Sequence, residues 1–322
     1  MRRRDFIALV GTATALPLTA RAQQAARPTI GFLHSASPNG NAFYVTAFRN
    51  GLREAGFVEG ENVTVEYRWA EGKTDRLPAL AADLINRQAT VVAADTRGAL
   101  ALKKVQTTIP VVFSSAGDPV KLGLVTSLNR PGGNMTGVSF LITAAVPKRL
   151  ELLHQLVPAA TRIGYLANPD NFTNELEDVR AAARGLGVEI FVLHARSERD
   201  FDQAFATLTE QKATALFVGA DPLFLYKRDE LVALAARHAI PTIYYLRQYV
   251  LAGGLISYGT SLEAAERQVG GYVGQILKGK KPAELPVAQS TRFELAINLK
   301  AATALGLKVP LGMQVAADEV IE

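Results

Sequence analysis

The residues able to do chemistry in this 322-residue chain gather just after its apolar runs. His34-Ser35-Ala36-Ser37 follows one run, Asp95-Thr96-Arg97 another, and Ser114-Ser115-Ala116-Gly117-Asp118-Pro119 a third. In the second half the same place is taken by Asn168-Pro169-Asp170, Gly219-Ala220-Asp221-Pro222 and Tyr244-Tyr245-Leu246-Arg247. Hydroxyls beside free amides at helix starts suit an anion, because unpaired N–H groups and the helix dipole point there. Asp95, Asp118 and Asp221 could face an ammonium, and Tyr244, Tyr245 and Tyr258 could stack on a flat body or hold a cation over a ring. A zwitterion uses all three features, which makes an amino acid the economical ligand. The candidate ligand-binding set is Ser35, Asp95, Thr96, Ser114, Ser115, Asp118, Asn168, Asp221 and Tyr245.

Plainer roles stand beside these. Asp118-Pro119, Asn168-Pro169 and Asp221-Pro222 each put a capping side chain before a proline at a first helical position, which is ordinary helix initiation. Ser35, Ser114 and Ser115 can cap as well as bind, and the tyrosines can serve as core or rim.

Catalytic and metal chemistry has little to stand on. The histidines, His34, His154, His194 and His238, are scattered, and none has a metal-ligand spacing with a second donor. There is no G-x-S-x-G elbow, no P-loop and no G-x-G-x-x-G after a strand. His34 beside Ser35 suggests a base and a nucleophile, but neighbours at a strand end point to opposite sides. The expectation is a protein that is not an enzyme and needs no metal or cofactor.

The elements that must hold the candidates follow from periodicity. Apolar runs recur at Thr29–Leu33, Val63–Tyr67, Thr90–Ala94, Pro110–Phe113, Arg162–Ala167, Val188–Leu193, Ala213–Val218, Pro241–Tyr245 and Leu255–Tyr258. Several are continuous, as expected of strands covered on both faces. Between them lie helical spacings such as Phe43-Ala47-Phe48-Leu52, Leu77-Leu80-Leu84 and Leu223-Leu231-Leu234. Alternating βα units imply parallel sheets. So many units exceed one sheet, and Arg130-Pro131-Gly132-Gly133-Asn134 makes a seam and a turn before a further strand. Two doubly wound α/β lobes are expected, with ligand at the carboxyl ends of their strands.

The N-terminus adds an address. Arg2, Arg3 and Arg4 precede a short apolar stretch, and Ala20-Arg21-Ala22 offers small residues for cleavage. The stretch is too short to span about 30 Å of hydrocarbon, so residues 1–22 read as a twin-arginine-like signal peptide and the mature protein as exported to a periplasm. With no cysteine there is neither a disulfide nor a lipidated thiol. The net charge of +5 falls to +2 once the four arginines and Asp5 of residues 1–22 are removed. No clustered basic face remains for nucleic acid.

Across nearly the whole mature chain the sequence resembles the ABC transporter substrate-binding family whose members include tryptophan- and other aromatic amino acid-binding proteins. The matching stretches, in order, are Ala47 to Glu54 (AFRNGLRE), Val65 to Gly72 (VEYRWAEG), Asp75 to Ala82 (DRLPALAA), Gly117-Asp118-Pro119, Arg130 to Asn134 and Lys148 to Leu153 (KRLELL). Ala220 to Phe224 (ADPLF), Ala252 to Leu255, Ser257-Tyr258-Gly259, Ile297 to Lys300, Ala304 to Leu307 and Ala317 to Glu322 complete them. Asp95 and Arg97 depart from the family's usual glycine and proline, and Tyr245-Leu246 from its usual glycine and aromatic residue.

The resemblance implies a type I periplasmic-binding-protein fold, two doubly wound parallel-sheet lobes joined by a three-strand hinge. Lobe 1 is expected over 28–139 plus about 259–280, and lobe 2 over 140–258 plus about 281–322. It implies a monomer that captures an amino acid or a related aromatic or carboxylate compound between its lobes. The expected partners are an ABC permease in the inner membrane and its separate ATPase. A periplasmic sensor reporting ligand to a membrane receptor is the alternative.

Overall fold

A computed structural model describes residues 27–39, 41–140, 142–171, 175–290 and 292–322. The signal peptide read over 1–22 lies outside the described residues. The chain opens β1 (Thr29–His34), α1 (Ala42–Glu54), β2 (Thr64–Trp69), α2 (Leu77–Asn86), β3 (Val91–Asp95), α3 (Thr96–Lys104), β4 (Val111–Ser115) and β5 (Met135–Ser139). It continues with α4 (Val146–Leu156), β6 (Arg162–Ala167), α5 (Leu176–Leu186), β7 (Glu189–His194), α6 (Phe201–Glu210) and β8 (Ala215–Val218). Then come α7 (Pro222–Tyr226), α8 (Arg228–Arg237), β9 (Thr242–Tyr244), α9 (Arg247–Leu251) and β10 (Ile256–Thr260). Last are α10 (Leu262–Leu277), β11 (Ala288–Gln289), β12 (Phe293–Asn298), α11 (Leu299–Ala304), α12 (Leu311–Ala316) and β13 (Glu319–Ile321).

The strands form two sheets, ordered β11-β5-β4-β3-β1-β2 and β13-β12-β10-β9-β8-β6-β7. Strands β4, β5 and β8 are buried along their whole length, because helices cover both faces. That is why their sequences are continuous apolar or small-residue runs rather than alternating ones. The expectation of two doubly wound lobes holds. One strand departs from the parallel rule: β12 runs antiparallel to β10, with Ile297 opposite Ile256, and β13 follows it.

The chain passes between the sheets three times: after β5, from β10 into α10, and between β11 and β12. Helix α10 belongs with the first sheet, packing on α1 and on β3, β4 and β5. Strand β11 pairs with β5, so the first lobe keeps the chain through Gln289, later than the residue near 280 read from the sequence. Thr260 still pairs within the second sheet, against 258 in that reading. The Leu223-Leu231-Leu234 spacing belongs to two helices, broken at Lys227.

The contact of α1 with α10 depends on glycine. A Cβ on Gly51 would collide with the Arg267 carbonyl, and one on Gly270 with the Phe48 carbonyl. Only hydrogen at both positions lets the backbones come this close. The first apolar core is continuous across both lobes, running from Ile30 and Phe32 through Tyr44, Phe140 and Tyr245 to Leu166. The lobes therefore face each other across a largely apolar gap.

Candidate functional site

That gap holds a cavity of about 80 Å³ that opens to solvent. One wall carries the strand-end residues of the first sheet: His34, Ser35, Asp95, Thr96, Arg97 and Ser114. The other carries Asn171, Ala220, Asp221, Pro222 and Tyr245 from the second. Apolar side chains fill much of the rest, among them Tyr44, Phe140, Ile142, Leu225, Leu246 and Leu262. A mostly apolar pocket with a few convergent polar groups is the usual design of a small-molecule site.

Six of the nine residues expected from the sequence line this space: Ser35, Asp95, Thr96, Ser114, Asp221 and Tyr245. Three do not. Ser115 is fully buried, since strand alternation turns it away from Ser114, and it donates to the Gly117 carbonyl at 2.9 Å. Asp118 holds a turn, accepting from the Val120 and Lys121 amides at 2.9 and 3.3 Å. Asn168 does likewise for the Asp170 amide at 3.0 Å. Neither of these last two starts a helix, as their following prolines had suggested. Of the other tyrosines considered, Tyr244 stacks on Tyr249 at 4.5 Å and Tyr258 on Phe293 at 5.6 Å, both away from the cleft.

The first-lobe wall is a latched network. Asp95 Oδ1 accepts from the Gly98 amide at 2.8 Å and so caps α3. Its Oδ2 accepts from the Ser35 amide at 3.1 Å and from the Ser35 hydroxyl. The carboxylate that might have met an ammonium thus joins the ends of β1 and β3. Thr96 Oγ1 accepts from the Ala116 amide at 3.1 Å and donates to the Ser114 carbonyl at 3.4 Å, joining β3 to β4. His34 Nδ1 lies 3.9 Å from Asp95 but accepts from the Ala36 amide at 3.0 Å, which leaves the ring proton on Nε2. Burial lowers the imidazole pKa, against an opposing pull from Asp95, so the ring is neutral.

Behind that wall lies Glu266, which composition alone could not flag. It stands on α10, is 2 % exposed, and is pushed up to about 7 by burial, with the Ser114 side chain opposing and Asp95 reinforcing the shift. Its Oε1 has no hydrogen-bond partner.

The second-lobe wall is built to hold Asp221. Oδ1 accepts from the Leu223 amide at 2.8 Å, capping α7. Oδ2 is buried and has no partner at hydrogen-bond geometry. Burial raises the carboxyl's pKa, while the Leu223 amide, the Asn168 side chain and the Arg97 charge draw it down. The Tyr245 hydroxyl donates to the Asp221 carbonyl at 3.0 Å. Beneath, the fully buried Arg149 and Glu175 pair with each other, and Glu175 Oε2 takes the Ala220 amide at 2.7 Å. The Arg149 guanidinium lies 4.8 Å from the centre of the Phe217 ring. Through the Ala220 amide this buried pair is tied to the loop that carries Asp221.

Asn41 is a residue the sequence reading passed over. It sits at the start of α1, is 1 % exposed and lines the cleft. Its Nδ2 donates to the Ser37 and Asn39 carbonyls at 2.9 and 3.3 Å, while Oδ1 has no partner. Phe140 and Ile142 were missed because they lie on the first inter-lobe crossing, outside any regular element the periodicity marks.

Among the described residues there is no cluster of His, Asp or Glu able to hold a metal, and no helix long and apolar enough to cross a membrane.

Comparison with known proteins agrees with this geometry. A crystal structure of a conserved domain protein from Vibrio cholerae is 26% identical, covers 91% of this chain and 99% of its own, and superposes with a TM-score of 0.84. A streptococcal ABC domain in complex with L-Trp is 25% identical, covers 92% of this chain and 100% of its own, and gives 0.83. A protein of Clostridioides difficile named tyrosine-binding protein is 25% identical over 264 residues, which is 81% of this chain and 76% of the relative. The family model described as ABC transporter substrate binding protein matches residues 34–321, so this chain belongs to the ABC transporter substrate-binding family, with the type I periplasmic-binding-protein fold.

Proposed function

We propose that this protein receives an aromatic α-amino acid in its inter-lobe cleft and presents it to an importer. The observation that carries the reading is Asp221. It is a buried carboxyl that lines the cleft, with one oxygen spent on a helix cap and the other without a hydrogen-bond partner. Burial makes a charge here costly, as the raised pKa of the carboxyl shows, and an ammonium adds to the pull of Arg97 in favouring the ionised form. Arg97, in the first turn of α3, lines the same space and suits a carboxylate. Tyr44, Phe140, Leu225 and Tyr245 offer an apolar bed for a ring. The relatives' ligands, L-Trp in one and tyrosine in the other, have these three parts.

Closure of the lobes then forms the surface a membrane permease reads, driven by a separate ATPase. The mature protein works as a periplasmic monomer after loss of residues 1–22. The test is a thermal-shift series with L-Trp, L-Tyr and L-Phe against tryptamine and indole-3-propionate. Zwitterions raise the melting temperature by mass action, and the two analogues lacking one charge raise it far less. If no amino acid shifts it at millimolar concentration, the reading is wrong.

A further inference from the structure

We infer that Asn41 sets the ligand specificity of the cleft by accepting a hydrogen bond from an N–H or O–H on the ligand's ring. This rests on the aromatic amino acid reading above and goes beyond it. The amide cannot turn to hide its oxygen. Both Nδ2 hydrogens are committed to carbonyls, Ser37 at 2.9 Å and Asn39 at 3.3 Å, so Oδ1 is the atom left over. Oδ1 is buried and has no partner, on a residue that lines the cleft.

Among the described cleft-lining residues, two acceptor atoms are in this state: Asn41 Oδ1 on the first lobe and Asp221 Oδ2 on the second. They differ in charge. The carboxylate suits the cationic donor, and the neutral amide oxygen suits a neutral one. Asn41 stands one turn before Tyr44 on α1, and both line the cleft together with His34, whose ring lies 4.4 Å from that of Tyr44. A phenol or an indole answers the Asn41 oxygen; a plain hydrocarbon ring leaves it unpaired. Sites built to bond a ligand hydrogen discriminate strongly against analogues that lack it.

Calorimetry on the unchanged protein compares tyrosine with 4-fluoro-L-phenylalanine, and tryptophan with 3-benzothienyl-L-alanine. Each analogue keeps the size and loses the donor. For the amino acid that binds tighter, the analogue is expected to be weaker by about tenfold or more. In Asn41→Ala the analogue keeps its affinity within a few-fold and the gap between the pair closes. Equal binding of donor and analogue by the unchanged protein overturns the inference, as does an unchanged gap in Asn41→Ala. Should that variant fail to fold, the ligand comparison decides alone. If none of the amino acids binds, the proposed function falls and this inference falls with it.

Discussion

The Tyr245 hydroxyl reaches the backbone carbonyl of Asp221 at 3.0 Å, tying the loop after β9 to the loop after β8. Tyr245 therefore acts on the cleft through main-chain geometry as well as through its ring. Tyr245→Phe keeps the ring and removes one of that carbonyl's two hydrogen bonds, leaving the Leu225 amide at 3.0 Å. It should cost about 0.5–1.5 kcal/mol of stability and weaken ligand binding severalfold. Urea denaturation and calorimetry check it; an unchanged midpoint would mean the Leu225 amide alone satisfies the carbonyl.

Asp221→Asn separates charge from capping. Asparagine caps a helix about as well as aspartate, so the melting temperature should barely move. Affinity for a zwitterion should fall about tenfold to a hundredfold, because a charged hydrogen bond is replaced by a neutral one. Normal binding would return Asp221 to a purely structural role.

Glu266 makes a prediction about pH. Its folded pKa of about 7 lies above the ordinary 4.5, so the native state holds this proton more tightly than the unfolded chain. The contribution is complete below about pH 4.5 and is lost as pH rises through 7, by roughly 3 kcal/mol. Glu266→Gln should flatten stability over that window. Denaturation midpoints at pH 5 and pH 8, compared between the two proteins, give the answer directly; parallel changes in both would exclude Glu266 as the source.

Gly51→Ala tests the helix contact. The new methyl meets the Arg267 carbonyl, which is backbone and cannot swing away. Overpacking of this kind costs about 1–3 kcal/mol. Gly185→Ala is the control, since a Cβ there meets nothing within 4 Å. A melt in which the two variants match would show that α1 and α10 can part freely.

Much of this was legible in the sequence. Continuous runs such as Val111–Val112–Phe113 mark strands covered on both faces, and the residues after them did form the cleft walls. The capping reading of Asp221 was right about one oxygen; only the structure shows the other. Short β11, with two residues, leaves no periodic signal, so the return of the first lobe was drawn too short. Glu266 and Asn41 escaped notice because burial is a property of packing, and Glu266 beside Arg267 on α10 reads as part of a solvated face. Asp95 looked free in sequence because one of its partners, Ser35, lies 60 residues away and only the pairing of β1 with β3 brings it close.

The addition of β11 to the first sheet has a consequence for biogenesis. That sheet lacks its edge strand until residue 289 has been synthesised, and α10, which covers it, arrives only shortly before. A ribosome therefore cannot release a finished first half while the second is still being made, as it can for domains strung end to end. Both halves must reach order together, in the last tenth of translation, and a chain stopped before that point has no complete half to fall back on.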